Sequence, residues 1–474
     1  MDKLYIYAIG GTGARVLKAM TMLLGAGVRI NAKEIVPIII DPDAGSGNKT
    51  EVVQLMDIYR RIYEKMDHAD NDTNFFRTAI TKNTPNYTMV LGGTTAMTFA
   101  DYMDFGLLSD EDRAMVNLLY SESNQAADMT VGFTGNPNIG TTVLNQFIQS
   151  DDFRNFAGNF TANDGIFVIS SIFGGTGASG FPLLVKNLRH LDPTAGIPAA
   201  AAIEQSRIGA VTVLPYFNLN PDSEGIDSNT FMSKTKAALG YYEHNLKELN
   251  MLYYIGDTQT KTYENNIGGI AQRNKAHFIE LASAMALFDF AANADGIDNS
   301  NGIAPTIYKE FGITADVDSI HMPHLERSSR TLIERPLTEF TLFAKYMKEE
   351  LPNAQNGQVW VTDDINYNEK VLSGNFNSDL MSFIDQYMGW LSEMADNKRS
   401  FAPFVLEENR GDVFGLVRDV NTKKVLSTKS NYDLYNTRLN GISKARLKQN
   451  EPEGKLVAHL YKATQKLVKD KINL

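Results

Sequence analysis

Two copies of the string Gly-Gly-Thr-Gly constrain the fold of this chain more than any other feature. The first copy, Gly10–Gly13, directly follows the apolar run Leu4–Ile9, and the second, Gly174–Gly177, directly follows Ile166–Phe173. Helix-compatible residues come after both copies. In a strand, glycine turn and helix unit, bare backbone N–H groups can approach an anion at the positive end of the helix. Two such units predict a nucleotide whose phosphates are contacted from two sides.

Further strand and helix patterns alternate up to about residue 270. Buried-strand patterns occupy Glu34–Ile40, Ala210–Leu214 and Met251–Ile255, and helical patterns occupy 229–249 and 270–292. Strands that alternate with helices predict an α/β fold with a parallel sheet covered on both faces. The helical pattern at 270–292 is apolar nearly all round, which is typical of a helix buried between two domains.

The chain is long enough for more than one domain. We expect a nucleotide-binding domain over residues 1–270, with a polar helical insertion at about 45–130. A long central helix and the loop after it would occupy 271–299. The remainder, 300–474, is expected to be an α+β domain with longer amphipathic helices, one strand at Gln358–Thr362 and a basic helical tail.

Composition excludes several function classes. The chain has no cysteine, so disulfides, thiolate metal sites and cysteine nucleophiles are excluded together. The net charge of −11 argues against nucleic acid as the main ligand, because binding a polyanion needs a basic surface. We find no apolar run long enough to span a bilayer, and a strand that begins at Lys3 leaves no room for a signal peptide. A cytoplasmic location is therefore expected.

The C-terminal segment 421–474 has the opposite charge, with 12 Lys and Arg against four Asp and Glu. This basic tail could bind an acidic protein partner or the acidic body of a neighbouring copy. The alternative is a helix that packs on its own domain, since Leu456, Leu460, Ala463 and Leu467 recur at helical spacing.

Taken together, the loops resemble those of the tubulin/FtsZ superfamily of GTPases, in the order that this family uses. Residues 3–16 are similar to its first strand and phosphate loop, and 174–182 to its signature loop. Residues 135–140 resemble the Asn-Pro-x-x-Gly loop that closes over the γ-phosphate. Asp41-Pro42-Asp43 lies at the family's polar turn near the sugar and metal, and 211–217 resembles the strand that ends beside the ribose. The likeness covers the first 300 residues or so, without the helical insertion.

This resemblance implies bound GTP or GDP with Mg²⁺. That ion would keep several waters and few protein ligands, so we predict no dedicated metal-binding side chains. Gln272-Arg273-Asn274 falls where the family presents an Asn to the guanine. The predicted nucleotide-binding residues are Gly10, Gly11, Thr12, Gly13, Arg15, Asp41, Asp43, Asn136, Gly174, Gly175, Thr176, Gly177 and Asn274.

Residues 293–298 match the Asn-x-Asp-x-x-Asp pattern of the family's catalytic loop. The resemblance implies that this loop enters the nucleotide pocket of the next subunit, so that hydrolysis needs a head-to-tail polymer. Asp295 and Asp298 would orient the attacking water, and Asn293 would shape the loop. The alternative is a helix C-cap and turn, rich in Asn, Asp and Gly for local backbone reasons.

Several positions depart from the family pattern. Phe173 replaces the first glycine of the signature loop, and Arg15 replaces a small or amide residue, either as a phosphate contact or as a surface residue. A nucleotide-binding scaffold without hydrolysis is therefore a second hypothesis. A dinucleotide-binding oxidoreductase is a third, because Asp41 follows the first glycine turn as in a Rossmann site. That third hypothesis leaves the second glycine turn unexplained, and Val16 stands where it needs a glycine.

Overall fold

The computed structural model describes residues 1–43, 45–68, 72–92, 97–129, 133, 136–219, 228–258, 262–263, 274–310, 313, 317–354, 357–362, 367, 371–420 and 431–474. The strands are β1 Lys3–Ile9, β2 Glu34–Ile40, β3 Ala79–Ile80, β4 Gly165–Ser171, β5 Arg207–Val213, β6 Asn218–Leu219, β7 Met251–Ile255, β8 Thr262–Tyr263, β9 Ile307–Glu310, β10 Ser319–Ile320 and β11 Ser400–Phe401.

The helices follow the same chain order. They are α1 Gly10–Gly25, α2 Gly47–Tyr63, α3 Phe99–Tyr102, α4 Asp110–Leu119, α5 Glu122–Gln125, α6 Pro137–Leu144, α7 Asp151–Asn159, α8 Gly175–Arg189, α9 Ala200–Glu204, α10 Ser228–Asn245, α11 Phe278–Asn293, α12 Arg327–Lys345, α13 Leu351–Ala354, α14 Val359–Thr362, α15 Asn375–Ala395, α16 Asn431–Asn440 and α17 Pro452–Leu467. Helices α12 and α17 each continue into a π-helical turn.

A seven-stranded sheet with the order β3-β2-β1-β4-β5-β7-β9 forms the centre of the fold, and all its pairings are parallel. The predicted α/β class with a parallel sheet is thus confirmed. In a parallel sheet all strands end at the same edge. The two glycine turns follow β1 and β4, which are neighbours, so both turns emerge side by side at the carboxyl edge.

Strand residues alternate between two hydrophobic cores. Leu4, Ile6 and Ala8 of β1 belong to the core that contains α1, α2 and α11, whereas Tyr5 and Tyr7 belong to the core that contains α6, α7 and α8. Because both faces of the sheet are buried, the strands read as continuous apolar runs instead of alternating ones.

Helix α11 is the predicted central helix, and thirteen of its sixteen residues are buried. It packs on β5 so closely that a Cβ added at Gly209 would lie 2.4 Å from the ring of Phe290. It also contacts α1, which packs on the neighbouring strands β1 and β4. Its apolar surface all round is therefore explained by burial between the sheet, α1 and the helices that follow.

The helices of the C-terminal part extend the core of α1 and α2. Phe340 of α12 contacts Phe75 with ring centroids 4.9 Å apart, and Phe383 of α15 contacts Phe76 at the same distance. At the end of α1, a Cβ added at Gly25 would lie 2.3 Å from Phe383. Residues 300–474 thus share one continuous hydrophobic core with the sheet domain.

The strand predicted at Gln358–Thr362 is wrong, because this segment contains the short helix α14. Trp360 is buried there, its backbone N–H donates to Asn440 Oδ1, and its indole N–H donates to Asn436 Oδ1. These tertiary contacts override the strand preference of Val-Trp-Val. Among the described residues beyond β9, strands are confined to β10 and β11.

The region predicted as a helical insertion, about 45–130, has two parts. Helix α2 packs on α1 and β3 pairs with β2, so both belong to the sheet layers. Helices α3, α4 and α5 come later in the region and add no strand to the sheet. The division of the chain into three domains stays a prediction.

The described part of the basic tail, residues 431–474, packs on the rest of the fold. Tyr461 of α17 contacts Phe75 with ring centroids 4.9 Å apart, and Lys462 pairs with Asp72 at 2.7 Å. Leu456, Leu460 and neighbouring apolar residues of α17 are buried. These contacts give no support to an acidic partner for this helix. Within the described residues, no helix is both long and apolar enough to span a bilayer.

We predict that Gly25→Ala destabilises the protein by about 1–3 kcal/mol, because the new methyl group would overlap the buried ring of Phe383. Gly158→Ala is the matched control, since Gly158 is an exposed helical glycine with open space around it. Chemical denaturation would measure both variants. The control should lose no stability, and an equal loss in both variants would contradict the packing explanation.

Candidate nucleotide-binding site

The two glycine turns meet at the carboxyl edge of the sheet. Helix α1 begins at Gly10 directly after β1, and α8 begins at Gly175, after three residues that follow the end of β4 at Ser171. Gly10 has a φ of +67°, a left-handed conformation that favours glycine. A Cβ added to Gly10 would lie 3.6 Å from the Cβ of Thr176. The sequence repeat therefore corresponds to two adjacent turns that share one space.

The last glycine of each copy has the same structural role. A Cβ added to Gly13 would lie 2.6 Å from the carbonyl carbon of Ala8, and one added to Gly177 would lie 2.5 Å from the carbonyl oxygen of Ser171. Each helix thus presses its first turn onto the strand that precedes it. Gly13 and Gly177 are needed for this close approach, independently of any ligand.

Within the described part of the chain, no side chain caps the positive end of either helix. Neither α1 nor α8 has an acidic residue in its first turn, and neither has a side-chain cap. The first N–H groups of a helix lack intrahelical partners, and the helix dipole adds positive potential there. Gly11, Gly174 and Thr176 are partly exposed between the two ends, whereas Thr12 is buried. The arrangement can bind an anion with several oxygens.

Asp41 and Asp43 lie at the same edge, directly after β2, the neighbour of β1. Asp43 N–H donates to Asp41 Oδ1 at 3.1 Å, and Gly45 N–H donates to Asp43 Oδ1 at 2.9 Å. The ammonium of Lys49 contacts the carbonyl oxygen of Asp43. Burial raises the pKa of Asp41 to about 7, although Lys49 acts in the opposite direction. This carboxyl therefore changes its charge near neutral pH.

These residues fit a magnesium ion held mainly by phosphates. Within the described ranges, no group of three or more His, Asp or Glu side chains is placed to hold a metal. Mg²⁺ at phosphate sites typically takes one or two carboxylates plus phosphate oxygens and waters. Asp41 and Asp43, two residues apart beside the glycine turns, could supply that small contribution. A buried amide nitrogen close by, Asn48 Nδ2, has no hydrogen-bond partner among the described atoms.

Asn136 precedes α6, the helix that packs on α8. A Cβ added at Gly140 of α6 would lie 2.1 Å from Ser179 Oγ, one turn into α8. Thr134 and Gly135 of this loop lie outside the described residues. Asn274 is exposed in the segment before α11, and Gln272 and Arg273 lie outside the described residues. The contacts of Asn136 and Asn274 with a nucleotide stay predictions.

Arg15 is buried and turns toward the start of α11. Its Nε lies 2.6 Å from Glu280 Oε1, and its Nη2 donates to the hydroxyl of Tyr216 at 3.1 Å. Burial raises the pKa of Glu280, and the Arg15 guanidinium opposes that rise. Arg15 is therefore not the surface residue that one alternative expected. A phosphate contact would have to compete with this ion pair.

The beginning of α11 is capped by residues that the sequence reading missed. His277 Nδ1 accepts from Ile279 N–H at 3.0 Å, and Glu280 Oε2 accepts from His277 N–H at 3.2 Å. Burial lowers the pKa of His277 to about 4, so its ring is neutral at pH 7. Tyr216 packs on that ring with centroids 4.6 Å apart. The signal available in the sequence was a polar residue followed three positions later by Glu, before an apolar run.

The predicted catalytic residues lie at the opposite edge of the sheet. Asn31, which precedes β2, donates from Nδ2 to Asp295 Oδ2 at 2.9 Å, and Arg207, the first residue of β5, lies 3.8 Å from the same carboxylate. The amino nitrogen of Met1 lies 3.6 Å from it. A seven-residue strand rises about 3.3 Å per residue, so the two edges are roughly 20 Å apart. Asp295 therefore cannot reach a ligand held by the glycine turns of its own chain.

Asn293 and Asp298 make local contacts in the same loop. The Asn293 side chain donates to the carbonyl oxygen of Asp289 at 2.7 Å. Asp298 Oδ1 accepts from Ser300 N–H at 2.9 Å, and this bond lowers the pKa of the carboxyl. Such bonds are those of a helix end and turn, so the alternative that the sequence left open agrees with them.

A buried polar cluster, also missed from sequence, fixes this loop to the base of the sheet. Asn299 Nδ2 donates to the Ser206 carbonyl at 3.0 Å, and Asn250 Nδ2 donates to Asn299 Oδ1 at 2.9 Å. Arg189 Nη2 donates to Asn250 Oδ1 at 3.2 Å, and burial lowers the pKa of Arg189 to about 10. Asn299, the residue after Asp298, is thus held by the Asn250 side chain and the Ser206 carbonyl, and Arg189 in turn holds Asn250.

Comparisons with known proteins find distant similarity to solved structures. No protein-family model matches the chain, and no curated protein matches it significantly. Among solved structures, the empty FtsZ dimer of M. jannaschii is 16% identical over 54% of this chain and 45% of that chain, with a TM-score of 0.27. CetZ from Methanosaeta thermophila is 16% identical over 62% and 53%, with a TM-score of 0.29.

The CetZ2 protofilament of Haloferax volcanii, bound to GTPγS, is 14% identical over 64% of this chain and 61% of that chain, with a TM-score of 0.30. This chain covers less than two thirds of each of these proteins. At these identities and TM-scores the likeness supports no conclusion about fold, ligand or assembly. The parallel sheet and flanking helices are consistent with the predicted tubulin/FtsZ-like domain.

The raised pKa of Asp41 predicts a pH-dependent stability without ligand. Between about pH 4 and 7 the folded state keeps a proton that the unfolded state has released, so the free energy of unfolding falls as pH rises. Asp41→Asn removes this pH-dependent contribution to the free energy of unfolding. We expect its stability relative to the parent protein to rise by a few kcal/mol between pH 4.5 and 8, measured by urea denaturation.

Asp192→Asn is the control, because the pKa of Asp192 is shifted in the opposite direction to that of Asp41. Bonds from Thr194 lower the pKa of this exposed carboxyl, so its contribution to stability is lost as pH falls. That change falls below about pH 4, so between pH 4.5 and 8 the stability of the control variant relative to the parent protein should stay constant. Parallel pH profiles for Asp41→Asn and the parent protein would contradict the buried, proton-holding carboxyl.

Proposed function

We propose that this chain binds GTP between its two glycine turns and assembles head to tail, as a distant member of the tubulin/FtsZ superfamily. The observation that carries the proposal is the contact between the turns, where Gly10 faces Thr176. Two uncapped helix ends then point at one space, and a triphosphate has enough oxygens to use both. A dinucleotide with one pyrophosphate needs only one such turn.

In this proposal different residues of the chain contact the phosphates, the metal ion and the base. N–H groups of Gly10, Gly11, Gly174 and Gly175 donate to phosphate oxygens, and the Thr176 hydroxyl adds a further donor. A bound Mg²⁺ would neutralise charge on the phosphates, with Asp41 and Asp43 as its protein-side neighbours. Asn274 would pair with the guanine through one donor and one acceptor.

Hydrolysis would take place between subunits. Asp295 and Asp298 lie at the edge of the sheet opposite the glycine turns, so they can act only on a nucleotide held by another copy. There they would accept hydrogen bonds from the attacking water and align it on the γ-phosphate. In such a contact, the carboxyl edge of the sheet in one copy meets the opposite edge, which carries Asp295, in the next copy. A head-to-tail contact of this kind does not close on itself and therefore produces a filament.

A second candidate is a scaffold that binds nucleotide without hydrolysing it. The bonds of Asp295 with Asn31, and of Asp298 with Ser300, favour it, because both carboxylates already have partners within one chain. The two candidates share the nucleotide site and the polymer. They differ only in phosphate release.

Nucleotide binding is tested by a charge placed between the turns. We expect Thr176→Glu to abolish GTP binding in isothermal titration calorimetry, because its carboxylate would repel the triphosphate. Thr176→Gln, which has the same size without the charge, should bind within about tenfold of the parent protein, given one lost hydrogen bond. A parent protein that binds NAD but not GTP would contradict the proposal and favour the oxidoreductase.

Hydrolysis between subunits is tested by mixing two inactive variants. Thr176→Glu lacks nucleotide but keeps its carboxylates, and the double variant Asp295→Ala, Asp298→Ala has the opposite defect. Random co-assembly pairs them productively in about one contact in four, so the mixture should recover up to about a quarter of parent phosphate release. Release no greater than the sum of the separate variants would contradict catalysis in trans.

A further inference from the structure

Arg207 lies at the edge of the sheet opposite the glycine turns, called the lower edge below, and its guanidinium has N–H groups available to donate hydrogen bonds. Its side chain is 28% exposed, and its Nη1 lies 3.8 Å from Asp295 Oδ1. In the part of the chain that the structure describes, this is the only charged partner of the guanidinium, which makes no hydrogen bond there. Other arginines nearby are engaged: Arg189 donates to three backbone carbonyls, and Arg29 donates to Asn74.

The backbone on both sides of Arg207 is held rigidly. The Ser206 carbonyl accepts from Arg189 Nη1 at 2.8 Å and from Asn299 Nδ2 at 3.0 Å. Ile208 N–H donates to Asn250 Oδ1 at 2.9 Å. Buried side chains therefore fix the residues before and after Arg207, while its own guanidinium stays available. Groups that bind a ligand are typically held on a rigid backbone with their hydrogen-bond donors available.

Charge balance requires a cation at this position if the lower edge approaches a triphosphate. Asp295 and Asp298 alone would bring two negative charges toward a polyanion, and the repulsion would oppose both docking and reaction. The Arg207 guanidinium offsets that charge together with the Met1 amino group, which lies 3.6 Å from Asp295 Oδ1. Its planar fork of N–H donors also matches the oxygens of a phosphate better than an ammonium does.

We propose that Arg207 is a catalytic residue supplied in trans, whose guanidinium contacts the γ-phosphate of the nucleotide held by the next subunit. The inference rests on the proposed function. In the step, water oxygen forms a bond to γ-phosphorus while the bond from γ-phosphorus to the bridging oxygen breaks. The electron pair stays on that oxygen of GDP, and a water proton passes to solvent through the carboxylates. Arg207 stays protonated throughout and stabilises the charge that develops on the oxygens.

The first test compares Arg207→Ala, Arg207→Lys and the control Arg29→Ala, which removes an arginine from the same edge. Arg207→Ala should keep the GTP affinity and the sedimentable polymer of the parent protein, while kcat for phosphate release falls about 100-fold or more with little change in KM. Arg207→Lys should recover part of that loss, and Arg29→Ala should keep parent turnover. Parent turnover in Arg207→Ala, or an equal loss in Arg29→Ala, would overturn the inference.

A mixing experiment distinguishes action in trans from support of the chain's own fold or site. In a mixture of Arg207→Ala with Thr176→Glu, all bound GTP belongs to subunits without Arg207, and every intact Arg207 belongs to a neighbour without GTP. Recovery of phosphate release supports the inference. Co-sedimentation of both variants without recovery, or failure to co-assemble, overturns it.

The same measurements separate this inference from the proposed function. A parent protein that binds no GTP overturns both. A parent protein that binds GTP and assembles but releases no phosphate keeps the nucleotide site and overturns the role of Arg207.

Discussion

The close approach of two helices to the strands that precede them is the constraint on which the rest of the structure depends. At Gly13 and Gly177 there is no room for even a methyl group between the helix and the strand backbone. This approach directs the first turns of α1 and α8 to one space at the carboxyl edge of the sheet. A larger residue at either position would tilt its helix and separate the two helix ends.

The buried pair of Arg15 and Glu280 connects this edge to the central helix. Arg15 lies in the first turns of α1, and Glu280 lies in the first turn of α11, so the two helices are fixed where the candidate site begins. Removing one partner of a buried pair leaves an uncompensated charge, which typically costs several kcal/mol. The far end of α11 carries Asn293 and leads into the loop with Asp295. One helix thus spans the distance between the two edges.

The sequence allowed the sheet to be predicted, because strands buried on both faces read as unbroken apolar runs and the glycine turns mark where two of them end. It also predicted that the turns converge. The helix α14 could not be predicted, since Trp360 is held by side chains of residues 436 and 440, far along the chain. The pairing of Arg15 with Glu280, and of Arg189 with Asn250, depends on the same kind of long-range contact. Such pairs leave no local pattern in the sequence, so the spacing of residues does not predict them.

The shared core of α1, α2 and the C-terminal helices has a consequence for how this protein can be divided. Helix α15 packs on α2 and helix α12 contacts α1, while Phe340 and Phe383 cover Phe75 and Phe76, so a fragment that ends near residue 300 would present this apolar surface to water. Such a fragment would aggregate instead of folding as a working half. Helix α1 and the helices beyond residue 320 share one hydrophobic core, so we expect them to unfold together as a single cooperative unit.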